Sequence, residues 1–135
     1  MTLPTIHADT HLRLARPSLD LDAAEHFYVQ GLGLQVLYQH RSEDALSLLM
    51  LGLPGAGWHL ELTRDPVHQV HPVPTAEDLL VFYLASEVPQ DAVAQLVACG
   101  GQRVTALNPY WEEWGVTVQD PDGYRLVLCQ RNWTA

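Results

Sequence analysis

Twice along its length this chain runs through the same succession, a strand, a helix and three further strands, and that repetition narrows the folds open to it more than any single motif. In the first round, His11 to Arg16 alternates as a strand, and Asp20 caps a helix over residues 21–30 with Asp22 and Glu25 near its positive end. Leu21, Ala24, Phe27 and Tyr28 line one side of that helix at helical spacing, and Gly31 is its expected stop. Strands follow over Gln35 to His40, Ala45 to Leu51 and Trp58 to Thr63, with the glycine-rich residues 52–57 turning between the last two. Residues 65–77 carry three prolines and no usable periodicity, the pattern of a surface linker. The second round has a strand over Leu79 to Leu84, a helix with Pro89 in its first turn and Gly100 as its stop, and a short strand over Gln102 to Val104. It ends in a tight hairpin, Trp114 to Gln119 and Tyr124 to Cys129 about the turn Asp120-Pro121-Asp122-Gly123. The chain thus reads as one domain over residues 1–135, of α+β class, built from two βαβββ modules at about 9–64 and 78–131.

Composition limits the partners. With 47% apolar residues the chain can bury a real core, and a formal charge of −9 with only seven basic residues, all arginine, argues against nucleic acid. No stretch has the length or apolarity of a membrane span and the N-terminus lacks a signal-peptide pattern, so a cytoplasmic protein without a membrane partner is expected. Cys99 and Cys129 form neither a metal-type pair nor a disulfide framework, and the expectation is two buried, reduced thiols.

An acid-led helix with Phe27-Tyr28, then Gly31-Leu32-Gly33-Leu34, the strand His59-Leu60-Glu61-Leu62-Thr63 and the closing Asp-Pro-Asp-Gly-Tyr occur here in the order that resembles the vicinal oxygen chelate superfamily. That superfamily includes glyoxalase I, bleomycin-binding proteins and extradiol dioxygenases. The resemblance implies two modules curling a mixed sheet into a half-open cup, a small organic ligand within it, and a homodimer. It also implies four metal-ligand positions, which fall here on Arg13, Glu61, Leu79 (or Asp78 one residue earlier) and Val127. Only Glu61 matches. Arginine carries a permanent charge and does not ligate metals, and a first-row divalent cation ordinarily needs three protein ligands. The expectation is therefore a cup without the family's metal. The alternative is a bulged first strand that gathers His11, His59 and Glu61 into an unorthodox metal triad.

Without a metal, Arg13 and Glu61 are placed to form an ion pair, which either fills the vacated space or serves a ligand. In the second case Glu61 is the candidate catalytic base, and Arg13 and His59 are candidate substrate contacts. Tyr83, alternating with Leu79 and Val81, is expected to point into the cup. Tyr110 and Trp111, in the aromatic and acidic segment Asn108 to Trp114, either line a ligand cavity or plug the open side of the sheet. Trp114 is expected in the core, and Trp58 also, packed beneath a helix. Three readings remain open: a lyase- or isomerase-like enzyme of the glyoxalase type using Glu61, a non-catalytic protein that sequesters a cationic or aromatic compound, and a regulatory or structural dimer whose cup is filled by its own side chains.

Overall fold

A computed structural model describes residues 2–3 and 5–135. Two four-stranded sheets carry the fold. The first has the order β1-β4-β3-β2, from β1 (Leu12–Pro17), β2 (Gln35–His40), β3 (Ser47–Gly52) and β4 (Trp58–Arg64). The second repeats it as β5-β8-β7-β6, from β5 (Leu79–Tyr83), β6 (Gln102–Val104), β7 (Gly115–Gln119) and β8 (Arg125–Cys129). In each sheet the module's first strand pairs in parallel with its last, and the other pairs are antiparallel. This is the α+β, two-module architecture that the repeated element order implies.

Helix α1 (Leu21–Glu25) begins where the Asp20 carboxylate accepts the Ala23 N–H at 3.0 Å, and it runs without a break into a π-helical stretch (His26–Gly31). Gly31 is thus the last helical residue and not the stop. The left-handed turn falls at Gly33 (φ 91°), a conformation that costs glycine little. The wide turns seat Phe27 and Tyr28, both essentially unexposed, against Leu49, Leu51, Leu60 and Leu62 of the first sheet. Because side chains alternate along strands, that helix-facing side of β1 and β4 carries Leu12, Leu14, Arg16, Trp58, Leu60 and Leu62. The opposite side carries Arg13, Ala15, His59 and Glu61.

Helix α2 (Gln90–Ala98) is capped by Pro89, which lies just outside its first turn, and buries Leu96. Leu96, Val118, Leu126 and Leu128 join the same core as the first module's helix residues, so the two halves share one interior. Three hydrogen bonds stitch them together: the Tyr28 hydroxyl donates to Asp120 Oδ2 at 2.6 Å, the Leu19 N–H to Asp122 Oδ1 at 2.8 Å, and Gln95 Nε2 to the Gln30 carbonyl at 3.1 Å. Gly101 sits where these elements meet, and a Cβ placed on it would lie 2.6 Å from the Phe27 ring.

Several boundaries differ from the sequence expectation. Asn108 to Trp114 is not a loop running straight into a strand. Asn108 caps a short helix, α3 (Pro109–Trp114), by accepting the Tyr110 N–H at 3.0 Å, with Pro109 in the first turn where its missing N–H costs nothing. The hairpin's first strand therefore starts at Gly115. Trp58, on the helix-facing side of β4, packs against the core as expected and also meets Phe82 of β5 edge-on, ring centroids 5.7 Å apart. Trp114 is only half-buried, with the Arg131 guanidinium 4.5 Å above its ring. Cys99 and Cys129 are both buried free thiols. Among the described residues no helix is long and apolar enough to cross a membrane.

Candidate functional site

Parallel pairing of β1 with β4 sets Arg13 beside His59 and Ala15 beside Glu61 on the side of the sheet away from the helices. Alanine leaves room for the long arginine side chain to lean along the strand. Arg13 Nε donates to His59 Nε2 at 3.1 Å, and Arg13 Nη1 lies 3.6 Å from Glu61 Oε1. The other imidazole nitrogen, His59 Nδ1, is 2.6 Å from His11 Nε2. A ring nitrogen that accepts from a guanidinium carries no proton, so His59 holds its hydrogen on Nδ1 and donates it to His11. Burial, then the neighbouring His11 and Arg13, lower the His59 pKa from the usual imidazole value against the pull of Glu61. The result is a row, His11, His59, Arg13, Glu61, in which the Glu61 carboxylate is well covered (side chain 13% exposed) while the Arg13 side chain is half open to solvent at 49%.

This donor set does not suit a divalent cation. The Arg13 guanidinium stands between the would-be ligands His59 and Glu61, and the facing nitrogens of His11 and His59 are engaged with each other. No bulge brings the triad together: β1 pairs with β4 in unbroken register. Among the described residues no three His, Cys, Asp or Glu side chains gather as a metal-binding set. Val127, at another of the inherited ligand positions, is fully buried.

Arg13, His59 and Glu61 thus come together, and Tyr83, Tyr110 and Trp111 form a separate group. Trp111 packs edge-on against Tyr83 (6.3 Å) and Tyr110 (5.0 Å), and the Tyr110 hydroxyl accepts from Arg131 Nη1 at 3.3 Å. Beneath α3, which packs on β7 and β8, Thr117, Val127 and Cys129 are closed off from solvent. The aromatic segment packs on that side of the second sheet, where Trp111 meets Tyr83. No hydrogen bond, ion pair or ring contact joins the two groups among the described residues.

Beside the polar row, between β1 and β5, lies a mainly apolar cavity of about 250 Å³ edged by His59, Leu12, Leu14, Trp58, Leu80 and Phe82. Two features escaped the reading of the sequence. Arg16, on the opposite side of β1 from Arg13, lays its guanidinium 4.4 Å over the Tyr124 ring. Asp120 is buried, accepting the Tyr28 hydroxyl through Oδ2 and the Asp122 and Tyr124 N–H groups through Oδ1, and burial raises its pKa against the pull of the Tyr28 bond. The signal for Asp120 was its place at the head of the Asp-Pro-Asp-Gly turn, where a carboxylate folds back onto N–H groups of its own turn.

Comparison with known proteins places this geometry. Residues 12–63 match the YycE-like N-terminal domain and residues 77–130 the YycE-like C-terminal domain. The uncharacterised YycE of Bacillus subtilis strain 168 is 40% identical over 118 residues, 87% of this chain and 85% of that protein. The crystal structure of a B. subtilis YycE protein of unknown function superposes with a TM-score of 0.80 at 36% identity, covering 94% of this chain and 93% of that one. Glyoxalase I of Leishmania major shares the fold, with a TM-score of 0.66 at 23% identity over 87% of this chain and 83% of its own. Both halves matching in order, and a relative similar over nearly its whole length, make this chain a member of the YycE-like family, within the vicinal oxygen chelate superfamily.

Proposed function

We propose that this protein is a cytoplasmic homodimer that binds a small organic molecule without a divalent metal, using Arg13 and His59 to hold an oxygen-bearing group and the neighbouring cavity to take an apolar portion. One observation carries the reading: a half-exposed guanidinium occupies the space between the two side chains that a metal would need, and its hydrogen-bond partner His59 edges an apolar hollow. A partly desolvated guanidinium offers a planar fork of donors to a carboxylate, phosphonate or polarised carbonyl. Binding is favoured over turnover by the same contact, since Glu61, the group that would move a proton, is already engaged by Arg13. The dimer reading is supported by β1, an edge strand that leaves Leu12 67% and Leu14 44% exposed.

Elemental analysis of tag-free protein, dialysed against Zn²⁺, Ni²⁺, Mn²⁺ and Fe²⁺, tests the metal-free part. No stoichiometric metal is expected, and one-to-one metal abolished by Glu61→Ala would overturn it. A thermal-shift screen of small anionic and carbonyl compounds tests the binding part, with stabilisation expected in the wild type and lost in Arg13→Gln. Turnover of thiol adducts or catechols that disappears in Glu61→Gln would replace binding by catalysis.

A further inference from the structure

The second arginine of β1 is in an unusual position. Arg16 lies on the helix-facing side of the strand, so it takes no part in the polar row around Arg13. The Tyr124 ring occupies one face of its guanidinium at 4.4 Å, which confines its remaining interactions to the guanidinium plane. In that plane Nε and Nη2, which share one edge, are both shut off from solvent, and neither has a hydrogen-bond partner. Two parallel N–H groups on one edge form the fork that a carboxylate fits with two bonds. A buried donor without a partner is costly, and more so when charged, so this edge is strongly favourable to an incoming acceptor.

Arg16 also forms part of the wall of a cavity of about 480 Å³ at the seam of the two modules, with Leu14, Pro17 and Leu79 as its apolar surface and Glu77 and Asp78 as its acidic one. The acids do not satisfy the arginine. Asp78 is anchored in its own turn, its Oδ2 accepting the Thr75 N–H at 2.7 Å, and no ion pair joins Arg16 to either acid among the described residues. The wall thus combines an arginine whose free fork lies behind the surface, a short apolar surface and two exposed carboxylates. A dianion is repelled by Glu77 and Asp78, and a simple cation gains nothing from Arg16.

We propose that this seam cavity is a second binding site, for a small zwitterionic amino carboxylate whose carboxylate meets Arg16 and whose ammonium faces Glu77 and Asp78. Because the fork is closed to bulk solvent, its cover must shift to admit the ligand.

Isothermal titration of the full chain with ω-amino acids of increasing length, from glycine to aminohexanoate, tests the site, with the matching alkyl carboxylates and alkylamines as controls. The expected result is saturable binding peaking at one chain length and roughly tenfold or more weaker in Arg16→Gln and Arg16→Lys, because lysine keeps the charge and loses the fork. Glu77→Gln should weaken the zwitterion without weakening the plain carboxylate, and the same Arg16 dependence should persist in an Arg13→Gln background, where carboxylate binding at the polar row is removed. Circular dichroism confirms that each variant is folded, and Arg16→Lys carries the test if Arg16→Gln does not fold. Absence of saturable binding across the series, equal affinity in Arg16→Lys, or loss of binding in Arg13→Gln would each overturn the proposal. The last outcome would move the ligand to the polar row of the first sheet.

Discussion

Replacing Tyr28 by phenylalanine deletes one oxygen and keeps the ring that packs edge-on against Phe27, with centroids 4.9 Å apart. What is lost is the 2.6 Å bond to Asp120 Oδ2, made where Tyr28 is 1% and Asp120 6% exposed. Hydrogen bonds to charged groups contribute about 1.5–3 kcal/mol, and here water has no easy access to replace the donor, so the loss should be about 2 kcal/mol. For a chain of this size that corresponds to a fall in melting temperature of roughly 5–10 °C. The pH dependence sharpens the test. Burial raises the Asp120 pKa, so the folded protein holds that proton more firmly than the unfolded chain. The carboxyl's contribution is therefore greatest in acid and declines as pH rises from the unfolded pKa through the folded one. The Tyr28 bond opposes this trend because it favours the carboxylate. Its removal should cost most at neutral pH and less as acid protonates Asp120. Tyr28 is pushed well above its usual value of 10.0, chiefly by burial, so above that pH the unfolded phenol ionises while the folded one does not, and the wild type loses its advantage again. Thermal unfolding of both proteins from acid to alkali should give a penalty that is largest in the middle. An unchanged melting temperature at neutral pH, or a penalty that grows in acid, would refute this account.

Other consequences can be checked singly. Gly101→Ala forces a Cβ to within 2.6 Å of Phe27 and 2.7 Å of the Leu96 carbonyl, and urea titration should show a loss of roughly 2–3 kcal/mol. The imidazole of His59 should titrate below the usual imidazole range by nuclear magnetic resonance, and Arg13→Ala should move its midpoint upward. Trp111→Ala uncovers the face holding Cys129, so a thiol reagent should label that cysteine faster in the variant than in the wild type while Cys99 stays slow; equal rates would mean that α3 is not the cover.

Strand alternation, the Asp20 cap and the Asp-Pro-Asp-Gly turn are local signals, and they sufficed to lay out both modules. The pairing of Arg13 with Glu61 was legible because two residues on one face of neighbouring strands needed only the register of the family resemblance to bring them together. Helix α3 escaped although Asn108-Pro109 is a helix-start signature, because six residues are too few to display a helical period. The Tyr28 to Asp120 bond spans a sequence separation of 92 and depends on how the modules dock, which no local pattern encodes. Arg16 escaped for the same reason. In an alternating strand it reads as a solvated end, and its lost partners arise only when Tyr124 of the other module closes over it.

The linker between Arg64 and Leu79 contains no helix or strand, while the halves it joins share one apolar interior and three hydrogen bonds. Its task is therefore to act as a tether, raising the local concentration of one half near the other. The recognition between halves resides in the docked surfaces themselves, so a backbone cut within the tether should leave two polypeptides able to find each other in solution. Each module would then be a separable part of a reporter whose signal measures their reassembly.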